Sequence, residues 1–198
     1  MSAKKNSKKP LILYLVRHGE AEERSDSTDE RDPPLTDLGR KQAQKIAQRL
    51  ADEKFDHIYY SPLQRACQTA KYALEKHERT PATETSEVKE LSSFHFLSSA
   101  YQLTDEESRF VEYECDVMQR FVNRIRHEHN YGEKILVVSH GNFIRTIMPV
   151  LGGRNPSESL LMEINNASLS VLEVWASGIS ILRFGNSLRH LEEDEVTI

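Results

Sequence analysis

Residues 11–20 read LILYLVRHGE. Leu11 to Val16 form an unbroken apolar or aromatic run that stops abruptly at Arg17-His18-Gly19-Glu20. A short run without polar alternation predicts a strand buried on both faces, as in a parallel sheet covered by helices. Such sheets present their ligand-binding residues at the carboxyl ends of the strands. Arg17 and His18 are therefore expected at the sheet edge, in a crevice, on a rigid element. A guanidinium there suits a phosphate or carboxylate. An imidazole beside it suits nucleophilic or acid–base work. The bland alternative is a solvated Arg-His pair, and the other strand ends decide between the two.

Working outward, the charged stretch 20–34 ends in two prolines and reads as a surface loop bordering that crevice. Thr36 is a good N-cap with Asp37 in the first turn. Ala43, Ile46, Ala47, Leu50 and Ala51 then lay one helical face on the sheet. Residues 55–60 predict a second strand. Ser61-Pro62 reads as an N-cap followed by proline at the first helical position, with Leu63, Ala66, Cys67, Ala70 and Leu74 as the next stripe. Arg65 falls in the first turn of that helix, at the same sheet edge as Arg17 and His18. Residues 80–101 show little periodicity. Thr104 caps a long helix with Phe110, Val111, Val117, Met118, Phe121, Val122 and Ile125 on its apolar face, ended by Asn130-Tyr131-Gly132. Residues 134–139 predict another buried strand that runs into His140-Gly141-Asn142 and a helix stopped by Gly152-Gly153. Residues 168–175 and 179–184 predict two strands joined at Ser177-Gly178. Alternating strands and helices with short connections make this an α/β fold, three layers with a mostly parallel central sheet and an antiparallel final hairpin.

The chain has 198 residues, 38% hydrophobic and 29% charged, with net charge −5. That length suits one domain with a sizeable core, and the charge argues against a nucleic-acid partner. The expected organisation is a disordered basic tail over 1–10, one domain over 11–191 and an acidic, frayed tail over 192–198. Residues 1–10 lack the apolar segment of a secretory signal, and no run reaches transmembrane length. Cys67 and Cys115 form neither a disulfide framework nor a zinc spacing. A cytoplasmic protein without a membrane partner is expected. Both cysteines and Trp175 are read as core residues, and His57, His77, His127, His129 and His190 as surface residues.

Three elements thus deliver Arg17, His18, Arg65 and His140 to one crevice. Two guanidiniums and two imidazoles make an anion site with a candidate nucleophile inside it. A phosphoryl group, with oxygens for paired hydrogen bonds, best matches the guanidiniums. These residues also carry a resemblance. VRHGEAEE at 16–23, LTDLGRKQA at 35–43, SPLQRACQTA at 61–70, VVSHGNFIR at 137–145, NNASLSVLEV at 165–174 and RHL at 189–191 resemble, in order, the motifs of the histidine phosphatase superfamily. That superfamily includes the phosphoglycerate mutases, and the similarity is to its small phosphatase branch.

The resemblance implies a phosphoglycerate mutase-like fold and a metal-independent phosphatase without cofactor. His18 would be the nucleophile, forming a phosphohistidine, and Arg17, Arg65 and His140 would hold the phosphoryl oxygens. Gly141 stands where some relatives place aspartate and cannot serve as the acid; Glu90, in EVKEL at 87–91, resembles the acid position of the mutase and small-phosphatase branches, with Glu87 competing. Asn142 either lines the pocket or caps a helix, and Glu20 either contacts the site or stays a loop carboxylate. His95 is a further candidate for substrate contact. These branches usually continue after this glutamate with glycine and a Trp- or Tyr-bearing motif, whereas LSSFHFLSSAY at 91–101 has no glycine. Partners are then a phosphorylated small molecule or a phosphoprotein, with oligomeric state open. The alternatives are a phosphohistidine protein phosphatase, a phosphoglycerate-type mutase and a non-catalytic binder of phosphorylated ligands.

Overall fold

The structure, a computed structural model, describes residues 8–22, 32–97, 101–154, 156 and 162–198. The basic tail up to residue 7 and the charged loop over 23–31 lie outside the described residues, as do 98–100 of the aperiodic stretch. The described residues form a six-stranded sheet in the order β3-β2-β4-β1-β5-β6. Its strands are β1 (Leu11–Arg17), β2 (His57–Tyr60), β3 (Ala82–Glu84), β4 (Lys134–Ser139), β5 (Leu169–Val174) and β6 (Ser180–Ser187). The helices are α1 (Asp37–Leu50), α2 (Gln64–Lys76), α3 (Asp105–Glu128) and α4 (Gly141–Leu151). β1 pairs parallel with β4 and antiparallel with β5, while β4, β2 and β3 run parallel. The final hairpin is antiparallel, as expected. Gly178 turns it at φ +87°, a left-handed conformation that glycine adopts at little cost.

The apolar run of β1 is buried because helices cover both sheet faces. Leu13 and Leu15, with Ile135 and Val137 of β4, face Phe121 and Ile125 of α3 and Phe143 and Ile147 of α4. Val16, Leu136 and Val138 face the other way, onto Ile46 and Leu50 of α1 and Ala70 and Ala73 of α2. Side chains alternate between faces along a strand, so one continuous apolar run serves two half-cores. Each fully buried Leu or Ile there contributes roughly 1.5–3 kcal/mol.

The caps explain where the helices begin. Thr36 Oγ1 accepts the Gly39 N–H at 2.9 Å. Thr104 and Glu107 form a reciprocal capping box on α3. At α2 the expectation fails: Leu63, not Ser61, holds the cap position. Asp32 instead accepts the Gln64 N–H at 2.6 Å, which leaves the Ser61 hydroxyl available elsewhere. The aperiodic stretch also carries more structure than its pattern suggested. It supplies β3 and two 3₁₀ turns, Ser86–Val88 and Ser93–Phe96.

Other side chains depart from their expected places. Phe110 is 47% exposed, and the buried face of α3 begins only at Glu114. Cys67, Cys115 and Trp175 are half-buried rather than core. His77 and His129 are buried, against Phe55 and the Tyr59 hydroxyl respectively. The acidic tail does not fray: Gln42 Nε2 donates to the Glu195 carbonyl at 2.7 Å, and Lys45 pairs with Glu195 at 2.6 Å. Asn166 N–H donates to the Thr197 carbonyl at 3.0 Å.

The turn after β1 is fixed by backbone crowding. A Cβ on Gly39 would lie 1.9 Å from the Glu20 carbonyl oxygen, and one on Gly19 would lie 2.4 Å from the Gly39 oxygen. Gly39→Ala should therefore destabilise by about 2 kcal/mol or more, although alanine in a helix ordinarily gains about 1 kcal/mol over glycine. Gly185→Ala meets side chains alone, the flexible Met162 methyl at 2.8 Å and Leu182 Cδ2 at 3.5 Å, and should stay within about 1 kcal/mol. Urea denaturation of both variants checks this contrast.

Candidate active site

The carboxyl ends of β1, β2 and β4 meet at one edge of the sheet. There Arg17 ends β1, His18 follows it, Arg65 sits one residue into α2, and His140 caps α4. The four residues named from strand ends thus come together. They meet at a cleft of about 350 Å³ lined by Arg17, His18, Glu20, Arg65, Glu90 and Asn166, among others.

His18 is 5% exposed and held on three sides. Its N–H donates to the Ser139 carbonyl at 3.0 Å, and its carbonyl accepts the Ala167 N–H at 2.9 Å. Its Nδ1 lies 2.7 Å from the Gly19 carbonyl oxygen. A carbonyl only accepts, so Nδ1 carries the proton and Nε2 carries the lone pair. Arg65 Nε donates to that Nε2 at 3.1 Å. Burial, then the charges of Arg17 and Arg65, hold the His18 pKa well below its ordinary value, with the Gly19 bond opposing. The ring is therefore neutral at and below neutral pH.

His140 lies under His18, ring centroids 5.1 Å apart, and has no exposed surface. Its Nε2 is 2.8 Å from the Ser61 hydroxyl, the group that the α2 cap left available. Its Nδ1 has no hydrogen-bond partner among the described residues and lies 3.8 Å from Glu90 Oε2. Burial, followed by the charges around it, holds His140 well below its ordinary pKa too. Arg17 is anchored by a bond from Nη1 to the Ile164 carbonyl, and its Nε is buried without a partner among the described residues.

Glu90 enters from the stretch without periodicity. The Asn142 N–H donates to its Oε1 at 2.9 Å. Burial raises the Glu90 pKa above its ordinary value, and the Asn142 bond and the charges of Arg65 and Arg17 only partly oppose this. Glu87 is engaged elsewhere: Arg124 donates to its two oxygens at 2.8 and 3.0 Å. Asn142 turns its side chain away from the cleft, donating to the Leu91 carbonyl at 3.0 Å. It holds the loop that carries Glu90 instead of lining the pocket. It is not the helix cap either, since His140 takes that position. His95 is buried on Glu114, 3.0 Å from its Oε2, and does not reach the cleft. Glu20 does line the cleft, with Oε1 accepting the Thr36 hydroxyl at 2.7 Å.

Several residues that build the site were not read from the pattern. The pattern reads Ser61 as a cap, whereas its hydroxyl meets His140. Thr69, on the buried face of α2, accepts the Gly19 N–H at 3.0 Å. Gln42, fully buried on α1, accepts the Glu20 N–H at 2.7 Å. Asn166 and Ile198 line the cleft. A glutamine on an apolar helical face is a visible signal, and Asn166 lies in the motif at 165–174 without its contact being readable there; the contact of Ile198 depends on long-range folding.

One atom each from His18, Glu90 and His140 lies within 4.8 Å of the others, close enough to attract a metal ion. Arg17 and Arg65 face the same space and repel a cation there. The chemistry of the set suits an anion: two guanidiniums, a neutral imidazole with a lone pair, a second neutral imidazole and a carboxyl group with a raised pKa.

Comparison with known proteins places this geometry. The profile of the histidine phosphatase superfamily (branch 1) matches residues 13–107 and 106–187. The chain is 31% identical over 186 residues to a 2,3-bisphosphoglycerate-dependent phosphoglycerate mutase of Brucella anthropi, covering 77% of this chain and 87% of that protein. It is 30% identical over 197 residues to the mitochondrial serine/threonine-protein phosphatase Pgam5 of Drosophila yakuba, covering 93% and 66%. Its fold is similar to the crystal structure of the alpha-ribazole phosphatase from Shigella flexneri, with TM-score 0.70, 23% identity and 89% and 96% coverage. With the family profile spanning both halves of the sheet and all the strand ends that form the cleft, the chain belongs to the histidine phosphatase superfamily, branch 1.

Proposed function

We propose that this protein is an acid phosphatase that hydrolyses phosphomonoesters through a phosphohistidine on His18. The observation that carries this is the state of His18. It is a neutral imidazole whose lone-pair nitrogen faces Arg65 in the cleft and whose other nitrogen is tied to Gly19. The phosphoryl group would take the place of the Arg65–His18 bond, with Arg17, Arg65 and His140 around its oxygens. Nε2 attacks phosphorus, the N–P bond forms, and the P–O bond to the leaving group breaks. The Glu90 carboxyl gives its proton to the departing oxygen. Water then attacks phosphorus and gives a proton to the Glu90 carboxylate, the N–P bond breaks with its electron pair returning to His18 Nε2, and phosphate leaves. Ser61 accepts the Leu63 N–H at 3.3 Å, so its own proton is available to His140 Nε2. That arrangement leaves an N–H on His140 Nδ1 to donate to a phosphoryl oxygen. Charge spreading over those oxygens in the transition state is what these donors stabilise.

Hydrolysis is favoured over a mutase reaction by the lining of the cleft. Among the described residues, its basic side chains are Arg17 and Arg65, both at the phosphoryl end. A second phosphate would meet Glu20 and Glu22 instead. An ester substrate, whether a small molecule or a phosphoprotein, is favoured over phosphohistidine by Glu90. An alkoxide needs a proton on departure, whereas a phosphorylated imidazole leaves readily without a strong acid.

The pH dependence follows from two directions. His18 must be neutral, and its lowered pKa keeps it so through mildly acidic pH. Glu90 must be protonated, and its raised pKa extends that state above the ordinary carboxylate range. Activity on alkyl phosphates should therefore peak at mildly acidic pH and fall as pH rises through the Glu90 pKa. Glu90→Gln should lower kcat on glycerol phosphate about 100-fold and on p-nitrophenyl phosphate by under about tenfold, and should remove the alkaline limb. Equal losses on both substrates count against Glu90 as the acid. Excess chelator should leave the wild-type rate unchanged, since guanidiniums supply the positive charge; loss of turnover on chelation, restored by a divalent metal, contradicts the metal-free mechanism.

A further inference from the structure

Glu114 is a charged side chain, 5% exposed, on the middle of α3, outside the cleft. It accepts three hydrogen bonds from one short segment: the Ser92 N–H at 2.7 Å, the Ser92 hydroxyl at 2.6 Å and His95 Nε2 at 3.0 Å. Burial pushes its pKa up, but the bonds from His95 and Ser92 outweigh this and hold it below the ordinary value. It is therefore a carboxylate. A buried carboxylate needs such partners to be tolerated, and all three are spent on residues two to five positions after Glu90.

The rest of that segment is held as well. Arg124, also on α3, grips Glu87. Ser139 Oγ donates to the Val88 carbonyl at 2.7 Å, and Asn142 bonds both Glu90 and the Leu91 carbonyl. Val88 and Leu91 are sunk in the core. Glu90 thus stands between two short 3₁₀ turns, outside any α-helix or strand, and the strip is held by side chains of α3, β4 and α4. Between Leu91 and Phe96 the anchoring side chain is Glu114. Phe96 itself faces the Arg145 guanidinium 5.7 Å from its ring.

We propose that Glu114 is a positioning residue for the general acid, fixing through Ser92 and His95 the strip that aims Glu90 at the leaving-group oxygen. This rests on the assignment of Glu90 as the acid given above. A displacement of about 1 Å in a proton donor is enough to cost an order of magnitude or more in rate. Residues 91–97 contain no glycine, and their order comes from the bonds that Ser92 and His95 make to Glu114. Loss of the clamp should be felt where proton donation limits the rate and not where it does not.

The test compares Glu114→Ala, the milder Glu114→Gln, Glu90→Gln and the double variant Glu90→Gln/Glu114→Ala on glycerol phosphate and p-nitrophenyl phosphate. Glu112→Gln, an exposed change on the same helix, is the control. Thermal melting shows whether each variant is folded at the assay temperature; if Glu114→Ala is not, Glu114→Gln carries the comparison. Glu114→Ala is expected to lower kcat on glycerol phosphate about tenfold while p-nitrophenyl phosphate stays within about twofold, and Glu112→Gln should match wild type. On the Glu90→Gln background the same change should add little further loss, because the residue being positioned is gone. Equal losses on both substrates, or a full tenfold additional loss in the double variant, overturn the positioning role and leave Glu114 as a folding residue. If Glu90→Gln alone shows no leaving-group dependence, the acid assignment fails first and the positioning role fails with it.

Discussion

The hydrogen bond from His18 Nδ1 to the Gly19 carbonyl, 2.7 Å long, is the constraint on which the site depends. It fixes which imidazole nitrogen is free and which way that nitrogen points. The carbonyl can serve only because the turn at Gly19 is locked. Gly19 lies against Gly39 too closely for any side chain, Thr69 holds its N–H, and Gln42 holds the next one. Behind the turn, β1 is pinned between β4 and β5 and covered on both faces. Flexibility at any of these points would let the ring rotate, and a rotated ring presents N–H where a lone pair is needed.

Charge does the rest. Burial, and then the two guanidiniums beside it, disfavour protonation of the His18 imidazole, which is what the proposed nucleophile needs. The same burial acts in the opposite sense on Glu90, favouring its neutral, proton-carrying form. One buried pocket thereby shifts the two groups in opposite directions, Glu90 up and His18 down. This is the division of labour that general acid catalysis beside a nucleophile requires.

Much of this was legible in the sequence because it sits on regular elements. An apolar run followed by Arg17-His18, a similar run followed by His140, and Arg65 in a first helical turn each placed one residue at one sheet edge. Where the reading fell short, the elements are irregular or the contact is remote. Residues 80–101 have no period to read, so β3 went unseen and His95 was given a substrate contact that Glu114 claims. For Asn142 the sequence offers a pocket wall or a helix cap, yet its side chain bonds the Leu91 carbonyl, a partner 51 positions away. The acidic tail was expected to fray because its composition is polar, but Gln42 and Lys45 seat it beside the cleft. Composition describes what solvent would do with such a tail; it does not show which buried amide is waiting for it.

The direct measurement is trapping of the phosphoenzyme. Wild type mixed rapidly with radiolabelled p-nitrophenyl phosphate and denatured in alkali should retain label in a bond that acid releases, as a phosphohistidine does, and His18→Ala should retain none. Label that survives acid, label held equally by His18→Ala, or no label on actively turning-over wild type at any quench time would contradict a nucleophilic His18.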